Sequence, residues 1–405
     1  MNEIRNLLIG IDFGKVNTQV CYYDRKAEEP RSLSLKAGES IYEIPTGLSE
    51  GGRDLYSLSG LSESEPGEKE PWESTAQFLK SVLRYLGMND IVHSTSALAV
   101  TAEELTPERV SNLKKACVSL GFSEDNVILL DYEESFYYHV MTQRKELPSR
   151  STAWYRFAGE TCVFRKMTIN SKLKPIRVKI EDPVMETLPE DPEKRDEAFS
   201  IFIQKTLGQE MFSSIQITGE GFDTTWAVRS TRILCFGKRR VYYGNNLYAR
   251  GACAAAKEKT EDHSLRNFLF HSRSLVRNEI GMNMRVMGAA AYYTMIRSGS
   301  NWYECACTCE IILNGTEELV FEVTMENEAE VKRIAMKLPG LPARPPKTTR
   351  LLLDLRYVSR EKCRISVTDL GFGEMFPSCG KTWTEMVEWK RESAQTAGQG
   401  GDLPG

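Results

Sequence analysis

Several things are missing from this chain of 405 residues, and each absence narrows what it can be. No apolar run approaches the ~18 residues that a membrane-spanning helix needs. No charge sign dominates: 52 Lys and Arg stand against 56 Asp and Glu, a formal net charge of -4. That balance points to neither nucleic acid nor an anionic membrane as a partner. Histidine is scarce, and His93 and His139 are isolated, as surface or packed histidines are rather than catalysts. The ten cysteines lack the spacing of a disulfide framework and read as reduced thiols. Cys305, Cys307 and Cys309 alternate, so a strand would turn them to one face. With no further ligand at zinc-site spacing they are expected to line a sheet rather than hold a metal. Residues Met1–Asn6 lead into a strand without a signal-peptide pattern, and with the reduced thiols this gives a cytoplasmic expectation.

What is present begins at Leu7. The apolar run Leu7–Ile11 enters Asp12-Phe13-Gly14, a polar turn follows through Lys15, Asn17 and Thr18, and an alternating run leaves it. This is the pattern of a β-hairpin whose turn can offer backbone N–H groups to a phosphate beside a carboxylate. A plain turn between two buried strands would look the same. Ile41–Thr46, with its proline, suits an edge strand. Residues 49–72 read as an exposed loop, and Ser74–Leu86 as an amphipathic helix. Ser96–Thr101 is a strand pattern. Thr106 and Pro107 open a helix that ends at Gly121, and Val127–Asp131 is a second strand before a helix opened by Glu133 and Glu134. Strand, helix, strand, helix is a βαβ arrangement.

A second hairpin follows at Ser151–Phe164, with Arg156, Gly159 and Thr161 around its turn. Residues 181–194 are acidic and proline-rich, and Arg195–Leu207 suits a helix. Ser214–Thr218 is a strand ending in Gly219-Glu220-Gly221, and Gly244–Ala256 is an alanine-rich helix. From about Asp262 the pattern becomes mostly strands: Tyr292–Ile296, Tyr303–Leu313, Glu317–Thr324, Val331–Lys337, Thr349–Val358 and Lys362–Asp369. A proline-rich loop, Leu338–Pro346, precedes the last pair. Lys381–Arg391, with Trp383, Met386 and Trp389 on one side, suits a short helix, and Ser393–Gly405 has a disordered composition.

In this order the motifs resemble the actin/Hsp70 ATPase superfamily, and the layout is similar to that of an uncharacterised bacterial family of Hsp70-like proteins. The resemblance implies an α/β, ribonuclease H-like nucleotide-binding-type domain over 1–261, in halves of about 1–150 and 151–261. A β-sandwich resembling the Hsp70 substrate-binding domain would occupy 262–375, and a short helix and disordered tail 376–405. It further implies that Asp12, Gly14, Lys15, Asn17, Thr18, Arg156, Gly159, Thr161, Gly219 and Gly221 line an ATP/ADP site. Asp12 would be the catalytic residue were the site active.

The departures are specific. The family's second hairpin carries an aspartate where this chain has Arg156, and glycines where it has Ala158 and Glu160. An arginine is neither a general base nor a Mg²⁺ ligand, though it can hold a phosphate or pair with Asp12. The interval from Ile169 to Ser214 is too short for the family's extra subdomain beside the adenine. The expectation is therefore a pseudo-ATPase, binding ATP/ADP or no cofactor. It would act as a chaperone-like scaffold that binds a protein or peptide through the C-terminal β-sandwich. An active ATP-hydrolysing chaperone or filament protein is the alternative. A sugar or acyl kinase on the same fold would need a catalytic aspartate near Gly159, and none is evident.

Overall fold

The computed structural model describes residues 7–24, 29–34, 43–50, 52–88, 90–143, 148, 150–244, 246–316, 318–325 and 331–388. These fall into two compact units that divide between Ser272 and Arg273.

The first unit opens with β1 (Leu7–Phe13) and β2 (Asn17–Asp24), the expected hairpin, extended by the short strands β3 (Arg31–Ser32) and β4 (Ile44–Pro45). Of the expected segment 41–46, Ile41 and Tyr42 lie outside the described residues. Three helices follow, α1 (Leu55–Leu58), α2 (Pro71–Arg84) and α3 (Ile91–Ser94), then β5 (Thr95–Ala102). Helix α4 (Pro107–Ser119) starts as its sequence requires, with Thr106 Oγ1 accepting from the Arg109 N–H at 3.2 Å and Pro107 in the first turn, where a missing N–H costs nothing. Strand β6 (Val127–Asp131) leads into α5 (Tyr132–Thr142), whose N-cap is Asp131 in a capping box with Glu134. The sheet order is β3-β2-β1-β5-β6, antiparallel at the hairpin and parallel from β1 onward.

The second half repeats that plan. Strands β7 (Thr152–Ala158), β8 (Thr161–Asn170) and β9 (Ile176–Ile180) form an antiparallel meander, with β10 (Val184–Thr187) beside β8. Helix α6 (Pro192–Leu207) precedes β11 (Ser214–Glu220), and α7 (Val228–Leu234) precedes β12 (Val241–Tyr243). Both later strands are parallel to β7, giving β9-β8-β7-β11-β12, the order of the first sheet. Helix α8 (Leu247–Lys257) and β13 (Phe268–Phe270), which pairs with β9, complete the unit. Because β13 belongs to this sheet, the first unit extends past the expected boundary at 261.

The two closing helices are exchanged between the halves. Helix α5 follows the first sheet but buries Tyr132, Phe136, Tyr137, Val140 and Met141 against Trp154, Met167 and Val178 of the second. Helix α8 follows the second sheet but buries Ala249, Ala252, Cys253 and Ala256 against Leu8, Ala97, Ala99 and Leu130 of the first. The small side chains of α8 permit the approach: a Cβ on Gly251 would stand 2.0 Å from the Ser135 carbonyl oxygen, and one on Gly10 2.3 Å from the Cys253 nitrogen. The alanine-rich run is thus a packing requirement.

The second unit is two four-stranded antiparallel sheets. One is ordered β15-β14-β17-β18, from β14 (Asn278–Val286), β15 (Ala289–Ile296), β17 (Glu318–Met325) and β18 (Val331–Lys337). The other is ordered β16-β19-β20-β21, from β16 (Ala306–Leu313), β19 (Thr349–Ser359), β20 (Lys362–Asp369) and β21 (Thr382–Glu388). Strand β21 corrects the expected helix at Lys381–Arg391. Residues 382–388 alternate in burial and pair with β20 along their whole length, so period two, not the three-residue spacing of Trp383 and Met386, governs the segment. Residues 389–405, including the expected tail, lie outside the described residues. Cys305 is buried just ahead of β16 while Cys307 and Cys309 are half-buried, and no metal-holding group of His, Cys, Asp or Glu occurs among the described residues.

The proline-rich loop and the end of β20 are joined by one buried ion pair. Arg344 donates from both terminal nitrogens to the two carboxylate oxygens of Asp369, each at 2.8 Å. Asp369 also accepts from the N–H groups of Gly371 and Cys379. The guanidinium, followed by these N–H groups, holds its carboxyl well below the usual carboxylate range despite burial.

Candidate functional site

The two hairpin turns stand at equivalent places in the two sheets, at the ends of β1 and β7. Parallel pairing sets β5 beside β1, with Thr101 opposite Asp12, so that Glu103, just past the end of β5, leaves the sheet at the same end. Tyr132, the first residue of α5, reaches the same place because α5 crosses toward the second sheet.

At the first turn Asp12 is buried, and its Oδ1 accepts a hydrogen bond from the Tyr132 hydroxyl at 2.8 Å. Burial pushes the Asp12 carboxyl up to about 7; Tyr132 and Arg156 oppose this and Glu103 adds to it. The turn itself is open. Lys15 and Val16 are exposed, Thr46 donates to the Gly14 carbonyl at 2.7 Å, and the buried Thr18 hydroxyl meets Thr46 at 3.0 Å. Asn17 donates to Glu43 at 3.1 Å. A Cβ on Gly14 would lie 2.3 Å from the Asn17 carbonyl oxygen, so the tightness of the turn requires glycine there.

At the second turn the chemistry is reversed. Arg156 pairs with Glu103, Nη2 to Oε1, at 2.6 Å, and its guanidinium lies 5.5 Å from the centre of the Tyr132 ring. The sequence left two partners open to Arg156, a phosphate or Asp12; the structure pairs it with a third group, the carboxylate of Glu103, which the sequence did not single out. Tyr132 stacks on Tyr248 of α8 at 3.7 Å, so one aromatic pair walls both turns. Behind them, Trp154 Nε1 donates to Thr218 Oγ1 at 3.0 Å.

Gly159, Gly219 and Gly221 come together, but against each other. The Gly159 N–H donates to the Glu220 carbonyl at 3.1 Å, which removes from the turn one amide that could have faced a phosphate. Arg195, at the start of α6, donates from Nη2 to the Gly159 carbonyl at 2.6 Å and to the Gly221 carbonyl at 3.2 Å. Its guanidinium lies 5.0 Å from the Trp226 ring centre, and Trp226 Nε1 also donates to the Gly221 carbonyl. Gly219 takes a positive φ of 89°, where a Cβ would stand 2.0 Å from the Phe157 carbonyl oxygen. Thr161 begins β8 and faces Thr187 of β10. The Gly-x-Gly turn thus docks on the second hairpin through backbone and an arginine latch.

Glu103, Tyr132, Tyr248, Arg195 and Trp226 escape a reading by motif. The one available signal was positional: Glu103 follows a buried strand, and Tyr132 follows an aspartate N-cap.

No helix among the described residues is long and apolar enough to cross a membrane. None of the curated proteins matches this chain. Among solved structures, the type II variant of the Aquifex aeolicus Ppx/GppA phosphatase is similar at 14% identity, over 53% of this chain and 68% of that one, with a TM-score of 0.31. The activator of the 2-hydroxyisocaproyl-CoA dehydratase from Clostridium difficile, with bound ADPNP, is similar at 7% identity, over 64% of this chain and 97% of that one, with a TM-score of 0.35. At these TM-scores neither likeness defines the fold, which rests on the strand orders above. Residues 275–389 match a domain of unknown function, DUF8552. Residues 62–273, more than half of the chain, match the C-terminal model of a family of unknown function, DUF5716, and the chain belongs to that family.

Proposed function

We propose that the first unit is an ATPase-type domain without hydrolytic activity and that the chain acts as a chaperone-like, protein- or peptide-binding scaffold. One observation carries the reading: the position that would need a second acid holds Arg156, already engaged by Glu103 at 2.6 Å. An always-charged guanidinium cannot take a proton from water or join a Mg²⁺ shell. Phosphoryl transfer depends on positioning water and metal between the two turns. The internally bonded Gly159 amide and the Arg195 latch support the same conclusion, since both occupy groups a nucleotide would need.

Binding is assigned to the second unit. Its proline-rich loop and its closing strands, the motifs that carry the resemblance to a substrate-binding sandwich, are joined by the buried Arg344–Asp369 pair. The β14–β15 hairpin exposes Val286 and Tyr293 on one face and Met287 at its turn, apolar side chains suited to an extended polypeptide.

The test is calorimetric titration of the full chain with ATP and ADP, with and without Mg²⁺, beside a phosphate-release assay. Phosphate release at background is expected with every nucleotide. Mg²⁺-dependent turnover would overturn the reading and make Arg156 a catalytic residue. Fluorescence polarisation with labelled extended apolar peptides tests the second unit, and binding is expected to persist without nucleotide.

A further inference from the structure

Strand β16 lies at the edge of its sheet and pairs with β19 alone among the described strands. Its residues alternate between exposed and half-buried. The half-buried face carries Cys307, Cys309 and Ile311 opposite Leu355, Leu353 and Leu351, three leucines wholly out of solvent. Cross-strand partners share a face, so the two sulfurs stand together against an apolar wall without being sealed behind it. The Cys307 and Cys309 thiols are hydrogen-bonded to each other. The acids of these two strands, Glu310 and Asp354, occupy the opposite face, where Glu310 meets Arg350 and Asp354 meets Thr308 and Arg356.

The common fates of paired cysteines do not suit this geometry. Alternate residues of a strand are ~6.6–6.8 Å apart at Cα and their side chains run side by side. That is the outer limit for a disulfide, whose Cβ atoms must also close to ~3.8 Å. Zinc and iron–sulfur sites take four ligands as a rule, and no group of three or more His, Cys, Asp or Glu forms among the described residues. Two thiols on a face without carboxylates suit a soft ion that two sulfurs satisfy. Of the ions that thiolates select, Cu(I) is that ion.

We propose that Cys307 and Cys309 form a two-thiolate site for Cu(I). On binding, two S–H bonds break, two S–Cu bonds form, both protons leave to water, and the copper stays Cu(I). Burial raises both thiols, Cys309 to about 11, so the free pair is protonated and resists oxidation. A thiophilic ion displaces those protons, whereas a hard cation finds no oxygen ligand among the side chains of this face. Leu353 and Leu355 back the sulfurs and keep water from that side of the ion.

The test uses the full chain, reduced and kept free of oxygen, against the coloured Cu(I) complex of bicinchoninate. Wild type should withdraw one Cu(I) per chain, and X-ray absorption of the loaded protein should show two sulfur neighbours. Cys307→Ser and Cys309→Ser should each weaken binding by about tenfold or more, since even the loss of a supporting contact costs that much. Cys235→Ser, at an exposed cysteine elsewhere, should bind as wild type does. Cys307→Val/Cys309→Val keeps a β-forming apolar face and should fold; Cu(I) should raise the urea midpoint of wild type but not of this variant. Undiminished withdrawal by the valine variant would overturn the proposal, as would no withdrawal by wild type. A third sulfur neighbour would overturn it in favour of a larger cluster. Loss of two hydrogens from this pair under glutathione disulfide, with no copper withdrawn, would overturn it in favour of a redox pair.

Discussion

The hairpin at Asp12 and the hairpin at Arg156 end corresponding strands of two sheets with the same order, yet one carries a buried acid and the other a cation. At the first, the turn projects outward with Lys15 and Val16 exposed, and Asp12 accepts a hydrogen bond from the Tyr132 hydroxyl. At the second, side chain and backbone are both consumed, by Glu103, by Glu220 and by Arg195. A duplicated frame thus keeps its packing while one of its two chemical ends is closed. Packing and turn chemistry are separable here because the core contacts lie along the strands and the turn residues only at their ends.

The largest expected difference between the two ends is in pH dependence. The Asp12 carboxyl is raised to about 7 from an ordinary 3.8, so the folded chain holds a proton there that the unfolded chain releases. Its stabilising contribution is full below pH ~4 and is lost as pH rises through ~7, on the order of 4 kcal/mol in all. Asp12→Asn should therefore gain stability over the wild type progressively between pH ~4 and ~7, with a constant advantage above that, measured by urea unfolding. Parallel curves for the two proteins would show that Asp12 is ionised in the fold. Arg156 does not titrate in this range and contributes no such slope.

The crossing of α5 and α8 is common to both halves, and breaking it should affect both. Gly251→Ala drives a Cβ to 2.0 Å from the Ser135 carbonyl, and Gly10→Ala drives one to 2.3 Å from the Cys253 nitrogen. Neither obstacle is the end of a flexible side chain, so backbone must move, at a cost of about 2–3 kcal/mol each. Lower urea midpoints with unchanged slopes are expected. Wild-type midpoints would mean the helices are not so closely apposed.

Much of this frame was legible in the sequence. Thr106-Pro107 fixed the start of α4, and alternation plus Asp-x-Gly marked the first hairpin, because capping and turn chemistry are local. The cluster at the site was not legible to the same degree. Asp12, Glu103, Tyr132 and Arg156 come from β1, the residue after β5, α5 and β7, and only the exchange of helices brings them together. Strand β21 shows the other limit. Trp383 and Met386 are three residues apart, which suits a helix, but the open edge of β20 decided for a strand. Tertiary pairing overrides local pattern in so short a segment.

Placing an acid at position 156 should not by itself confer hydrolysis. Arg156→Asp removes the 2.6 Å pair with Glu103 and sets a third carboxylate near Asp12 and Glu103, for a loss of about 2 kcal/mol. The Gly159 amide would still be bonded to Glu220, so phosphate release is expected to remain at background. Mg²⁺-dependent turnover in this variant would show that one side chain alone separates the two turns.

The smallest effect should fall on the latch. Arg195→Met removes the donor to the Gly159 and Gly221 carbonyls and the cation over Trp226, while keeping an apolar stem against the ring. These contacts are partly solvated and water can replace them, so the loss should be about 1 kcal/mol or less. Its location is what matters. Amide hydrogen exchange should quicken around Gly159 and Gly221, and Trp226 fluorescence should change, while the turn at Gly14–Asn17 stays as it was. Exchange that quickens equally at both turns would mean that the second turn is not independently latched, and the contrast between the two ends would then rest on Arg156 and Glu103 alone.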